Sequence, residues 1–262
     1  MSVSSIARKA AKTAALPAGL VRRKRTDDLA ILLYHRVGDG TGEIELEPAV
    51  FDRQMATVAA TGRTRSLDEA LGDPSAGGIV VSIDDGFGDF YDTVFPTLVR
   101  HEVPAILYLA SGFVEGQEFA PSSGALSWSQ LRECVDSGLV DVGAHTHSHR
   151  DLSRAPDDEA EREMMTSKKL IEDHLGVQCR HFAYPWSYSS PGAERAARRI
   201  FDSAALNWNT NRGGKFDVHE LGRTPILRSD SAPFFKAKID GALDGEALVY
   251  RMARRGPWKQ SS

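Results

Sequence analysis

From Leu29 onward, short apolar runs alternate with amphipathic stretches, and this alternation constrains the fold more than any other feature of the chain. Leu29–Tyr34, Ile79–Ile83, Ala105–Ala110, Val140–Gly143, His181–Tyr184 and Ser203–Leu206 read as strands buried on both faces. Helix-like segments lie between them. Phe51–Ala60 has apolar residues near helical spacing, and Ser66–Leu71 is a shorter candidate. Tyr91–His101 would be limited in regularity by Pro96. Ser129–Ser137 stops before Gly138. Asp157–Leu175 has acids early, lysines late and Gly176 to end it. Such alternation implies a mainly parallel sheet with helices outside, and the number of strands suits an α/β barrel, closed or partly open. The expected division is a basic leader over 1–28, one catalytic domain over 29–250 and a tail over 251–262. Active residues of such a fold gather at the carboxyl ends of the strands.

Charge narrows the partners. The net charge is −4, yet residues 1–25 carry Arg8, Lys9, Lys12, Arg22, Arg23, Lys24 and Arg25 with no acid; −4 less that +7 leaves −11 for the rest. An acidic body argues against nucleic acid as the main partner, because phosphate contacts need a basic surface. The leader is a poor secretion signal, since Lys12, Thr13 and Pro17 interrupt its apolar stretch. It reads either as a disordered basic segment or as one making peripheral contact with a membrane surface. No run reaches the ~20 apolar residues that a bilayer crossing needs. Cys134 and Cys179 lack Cys-x-x-Cys spacing, which suits a reducing compartment without excluding a single disulfide. The expected location is cytoplasmic, or peripheral to the inner membrane.

Two of the apolar runs end in chemistry. The first stops at Asp84-Asp85-Gly86. Adjacent carboxylates repel, and keeping both ionised in a partly buried place is costly unless a cation compensates; the alternative is a solvated turn. The second runs into His145-Thr146-His147-Ser148-His149, which holds three of the chain's eight histidines. A separation of four lets a helical turn or tight loop present His145 and His149 to one ion. His147 points elsewhere in most local conformations and reads as a supporting or surface residue. Two imidazoles and one carboxylate leave positions open for water and substrate, the pattern of a catalytic rather than a structural centre. The ion would polarise a carbonyl and acidify bound water, and the remaining aspartate would take the water's proton. Tyr184, Pro185 and Trp186, where a strand breaks among aromatics, would line a cleft or fill an ordinary core. His35, after the first run, would face the barrel mouth or be a satisfied structural histidine.

In this order and spacing, these segments resemble the polysaccharide deacetylase family, also called the NodB-homology family or carbohydrate esterase family 4, over about Leu29 to Pro225. Ser82-Ile83-Asp84-Asp85-Gly86 looks like its Thr-Phe-Asp-Asp-Gly motif, and His145 to His149 fits His-Ser/Thr-x-x-His. Trp128 also fits a recurrent pattern. The resemblance implies a distorted (β/α) barrel, hydrolysis of an N-acetyl (sometimes O-acetyl) group on a carbohydrate, and one divalent metal ion, often zinc. It implies Asp84 as general base, Asp85, His145 and His149 as metal ligands, and a backbone N–H near Trp186 as an oxyanion donor. The Tyr-His-x-Val start at Tyr34 and the Phe-Ala-Tyr-Pro segment at Phe182 resemble one subgroup. There the chain departs from many relatives. The arginine that orients the base is absent from 183–187, and no Leu-x-His near the C-terminus supplies a general acid. His219 sits in an ill-fitting context; His35 is a candidate substitute, and the general acid stays open. Two further readings stay open: a hydrolase of a small non-sugar amide, and a non-catalytic carbohydrate-binding barrel, against which the intact Asp84 argues.

Overall fold

The structure is a computed structural model that describes residues 28–117, 124–207, 211 and 213–241. Seven parallel strands close a barrel in sequence order: β1 (Leu29–Tyr34), β2 (Gly78–Asp85), β3 (Ala105–Leu109), β4 (Val140–Ala144), β5 (His181–Ala183), β6 (Ser203–Asn207) and β7 (Leu221–Pro225), which returns to β1. Each expected run lies on a strand, within a residue or two at its ends. The seventh strand was not among them. Leu-Gly-Arg-Thr-Pro carries a charge, a glycine and a terminal proline where the other strands are apolar, so it reads as a turn.

Register brings the carboxyl ends to one rim, with Asp84 opposite Tyr108, Asp85 opposite Leu109, Leu109 opposite Ala144 and Asn207 opposite Arg223. β4 and β5 share a single pair, Ala144 with Phe182, and the barrel is distorted there. Leu29, Ile31, Val80, Ile106, Tyr108, Ala183, Ala205 and Leu221 form one buried cluster, joined by Leu67 and Ala70. Their strand neighbours Leu32, Val81, Leu107 and Phe182 belong to the larger cluster beneath the helices. Burial on both faces is why these strands read as unbroken apolar runs.

The helices are α1 (Pro48–Ala59), α2 (Leu67–Gly72), α3 (Phe95–His101), α4 (Ser111–Val114), α5 (Trp128–Asp136), α6 (Asp157–Leu175), α7 (Pro191–Ile200) and α8 (Ala232–Ile239). α2 and α5 begin with capping boxes, Ser66 with Glu69 and Ser127 with Gln130. α6 opens on Asp157, Asp158 and Glu159 and ends at Gly176, whose φ is 67°. The helix expected over Tyr91–His101 is two pieces: Phe90–Val94 winds as a π turn, and α3 follows with Pro96 in its first turn. Proline has no N–H to bond the turn before it, so the ladder widens at the junction. α4, α7 and α8 were not expected. Apart from Asp28, the leader over 1–28 and the tail over 251–262 lie outside the described residues. Among the described residues, no helix is long and apolar enough to cross a membrane.

Candidate metal and catalytic site

β2 delivers both aspartates to the rim and then turns sharply. Asp85 has φ 83° and Gly86 φ 95°, and a Cβ on Gly86 would lie 2.4 Å from Leu109 Cδ1, so glycine alone fits. The turn sends the neighbouring carboxylates to different partners. Asp84 is 2% exposed and is gripped bidentately by Arg223, Nη1 to Oδ1 at 2.5 Å and Nη2 to Oδ2 at 2.8 Å. Burial acts most strongly on Asp84 and raises its pKa; Arg223, His145 and His35 outweigh it and hold the carboxyl below the ordinary range. Arg223 is itself buried, and its guanidinium lies over the Tyr108 ring, 5.2 Å from the centroid. Tyr108 in turn occupies space that Gly143 leaves, since a Cβ there would stand 2.8 Å from the ring.

Asp85 meets the histidines. Its Oδ1 is 3.2 Å from His149 Nε2 and 3.6 Å from His145 Nε2. Burial raises the Asp85 pKa most, and the imidazoles of His149, His35 and His145 overcome this to leave it at about 2. His145 Nδ1 lies 2.7 Å from the Ala183 carbonyl. A carbonyl only accepts, so the proton is on Nδ1 and the Nε2 lone pair faces the carboxylates. Burial depresses the His145 pKa to about 4 despite Asp84 and Asp85, so the ring is neutral near pH 7.

These three residues fit a metal ion. Asp85, His145 and His149 are all buried, and one ligand atom from each lies within 4.8 Å of the others. Asp85 Oδ1 is buried with no hydrogen-bond partner, a costly state for a carboxylate oxygen unless a cation meets it. Backbone strain marks the same place. Six described non-glycine residues have positive φ, and Asp85, Thr146, His149, Trp186 and Ser187 are five of them. Such conformations cost about 1–3 kcal/mol each and persist where the surroundings over-determine them.

The other expected residues divide. Half-buried His35 follows β1 at the mouth, close enough to help hold the carboxyls of both Asp84 and Asp85 below the ordinary range. Trp186 is 55% exposed and sets its ring against His149, with centroids 4.2 Å apart. Tyr184 and Pro185 are both buried, and Tyr184 packs edge-on to Phe182 in the core beneath the helices. Strand alternation continues one residue past β5, so Ala183 faces the barrel interior and Tyr184 the helices. His147 turns away, with Nδ1 3.1 Å from Ser111 Oγ and Nε2 3.0 Å from Gln117 Nε2. His219 bonds the Phe201 carbonyl just before β6, at the amino end of the barrel. The arginine missing from 183–187 has a counterpart in Arg223, which sequence reasoning passed over because no local pattern links it to Asp84.

The structure thus sets a buried Asp-His-His cluster and an arginine-held aspartate at the carboxyl rim of a parallel barrel. Residues 72–200, just under half of the chain, match the family model described as polysaccharide deacetylase. YxkH of Bacillus subtilis (strain 168) is 23% identical over 172 residues, which cover 63% of this chain and 59% of that protein. The poly-beta-1,6-N-acetyl-D-glucosamine N-deacetylase of Escherichia coli (strain K12) is 32% identical over 81 residues, 27% of this chain and 12% of that protein. The chain thus spans less than two thirds of either relative. Among solved structures, the Streptococcus pyogenes deacetylase PplD, in complex with acetate, matches with a TM-score of 0.72 at 22% identity. The match covers 82% of this chain and 99% of that one, and it shows the shared distorted barrel.

Proposed function

We propose that the chain is a metal-dependent hydrolase that removes an N-acetyl group from a carbohydrate. The reading rests above all on the meeting of three buried ligand atoms from Asp85, His145 and His149 within 4.8 Å, beside a second carboxylate that Arg223 keeps to itself. With both oxygens of Asp84 engaged by the guanidinium, that group is held back from coordination and left to handle a proton. An ion held by the three ligands, zinc by the preference of imidazole nitrogen, would polarise the acetyl carbonyl and supply the acidity that lets a weak base such as Asp84 suffice. Asp84 would accept the proton of water as its oxygen adds to the carbonyl carbon. His35, at the end of the neighbouring strand β1, would give a proton to the amide nitrogen as the C–N bond breaks, releasing acetate and an amine. The exposed face of Trp186 offers a surface on which a sugar ring could rest. The E. coli relative is named for a polymer of N-acetylglucosamine, which favours an N-acetylated amino sugar, as a polymer or its precursor, for this chain. The basic leader would add peripheral contact with an anionic membrane face from the cytoplasmic side.

The test is acetate release by the zinc-loaded chain from a panel of N-acetylated sugars and small cyclic amides, with Asp84→Asn alongside. Release from sugars by the parent and loss in the variant supports the reading. Turnover of the small amides alone would replace the substrate class, and unchanged turnover by Asp84→Asn would refute the role of that residue.

A further inference from the structure

The loop that carries both histidines holds an unfavourable shape. Thr146 and His149 have φ of 65° and 53°, in a region that side chains with a Cβ avoid. Contacts from two helices account for it. The first turn of α4 serves the carbonyls: Ser111 N–H donates to Thr146 O at 3.3 Å, and Gly112 N–H to His147 O at 2.7 Å. The amides are served by one side chain. Glu163 Oε2 accepts from the backbone N–H of His147 at 2.9 Å and of Ser148 at 2.7 Å, and Oε1 accepts the Ser148 hydroxyl at 2.8 Å. Glu163 sits on α6, whose buried residues Ala160, Met164 and Ser167 pack it on the barrel, so the carboxylate is presented from a rigid base. Three donors converging on one carboxylate make charge-assisted bonds, roughly twice as strong as neutral ones.

We propose that Glu163 is a positioning residue of the metal centre: by fixing the His147–Ser148 peptide it sets the separation and aim of His145 and His149. The inference rests on the reading of Asp85, His145 and His149 as metal ligands. Glutamine at 163 can keep the geometry, its carbonyl oxygen accepting both amides and its NH2 donating to Ser148 Oγ. Alanine cannot. Loss of an outer partner of this kind weakens metal binding by about 10–100-fold.

The experiment measures Zn2+ affinity of the full chain by competition with a chromophoric chelator, the visible spectrum of the Co2+ form, and melting of the metal-free protein. Glu163→Ala should bind zinc about 10–100-fold more weakly and change the Co2+ spectrum, while the metal-free protein stays folded and melts cooperatively at a lowered temperature. Glu163→Gln should restore both affinity and spectrum. Equal zinc binding and an unchanged spectrum in Glu163→Ala would overturn the inference alone, as would a glutamine variant no better than alanine. Should Glu163→Ala fail to fold, Ser148→Ala, which removes one of the three bonds, should weaken zinc binding by about threefold to tenfold, and no change there would overturn the inference. A parent chain that binds no zinc would overturn the metal reading itself, and this inference with it.

Discussion

Removing Arg223 should expose how much the barrel depends on one buried ion pair. Arg223 and Asp84 have side chains 1% and 3% exposed and are joined by two bonds of 2.5 and 2.8 Å. Deleting one partner leaves a buried charge without its counter-charge, at a cost of about 3–5 kcal/mol, whereas exchanging both for uncharged groups is often close to neutral. In Arg223→Met the new side chain can still cover the Tyr108 ring, so the loss is of charge more than of packing. For a domain of this size each kcal/mol moves Tm by about 2–4 °C, which places the expected fall at about 6–20 °C. Asp84→Asn strands the guanidinium and should cost a comparable amount. The double variant should recover most of the loss, keeping only the penalty of an imperfectly bonded amide, about 1–3 kcal/mol. Urea unfolding of the four proteins in the presence of a chelator gives the coupling directly; from these losses it is at least about 3 kcal/mol, at or above the top of the range usual for touching pairs. Additive single losses, or an Arg223→Met variant within ~0.5 kcal/mol of the parent, would refute the reasoning.

Zinc at 100 times its Kd should raise the stability of the parent by about 2.7 kcal/mol. His145→Ala and His149→Ala should lose that gain, as melting with and without chelator would show. Gly143→Ala places a Cβ 2.8 Å from both the Tyr108 ring and the His181 carbonyl, so a loss of about 1–3 kcal/mol in chemical unfolding is expected from overpacking. Cys134 and Cys179 are fully buried, and burial pushes both thiols up to about 12. Neither is a thiolate near pH 8, and thiol reagents should label them only as fast as the native protein opens; immediate labelling would contradict their placement.

The candidate metal cluster was legible in the sequence because it is local. Asp84-Asp85-Gly86 and His145 to His149 each compress their ligands into five residues or fewer, at the ends of runs whose length and apolarity mark buried strands. What orders those ligands is not local. Arg223 reaches Asp84 across 139 positions, and it does so from a strand that looks like a turn because its inward face is spent on a charge. Glu163 reads as one of many acids on an amphipathic helix, and nothing in its spacing reveals that it faces the histidine loop. Tyr184 shows the opposite error: an aromatic beside a proline invites a cleft role, but alternation past β5 assigns it to the core. α7 is rich in alanine and arginine, with Ala193, Ala196 and Ala197 buried, and its narrow small-residue stripe gives little apolar signal.

The place of Arg223 in the chain also bears on how the protein is made. A ribosome extends the polypeptide from its amino end, and domains fold as their sequence emerges. By the time Ala183 has left the tunnel, both aspartates and both histidines are outside, yet the strand that neutralises Asp84 has still to be synthesised. Withdrawing that carboxylate from water before Arg223 arrives would be heavily penalised. The last strand therefore closes the cylinder and licenses the burial of its charge in one event, and a nascent chain cut short of it would carry Asp85, His145 and His149 without an Asp84 fixed in position beside them.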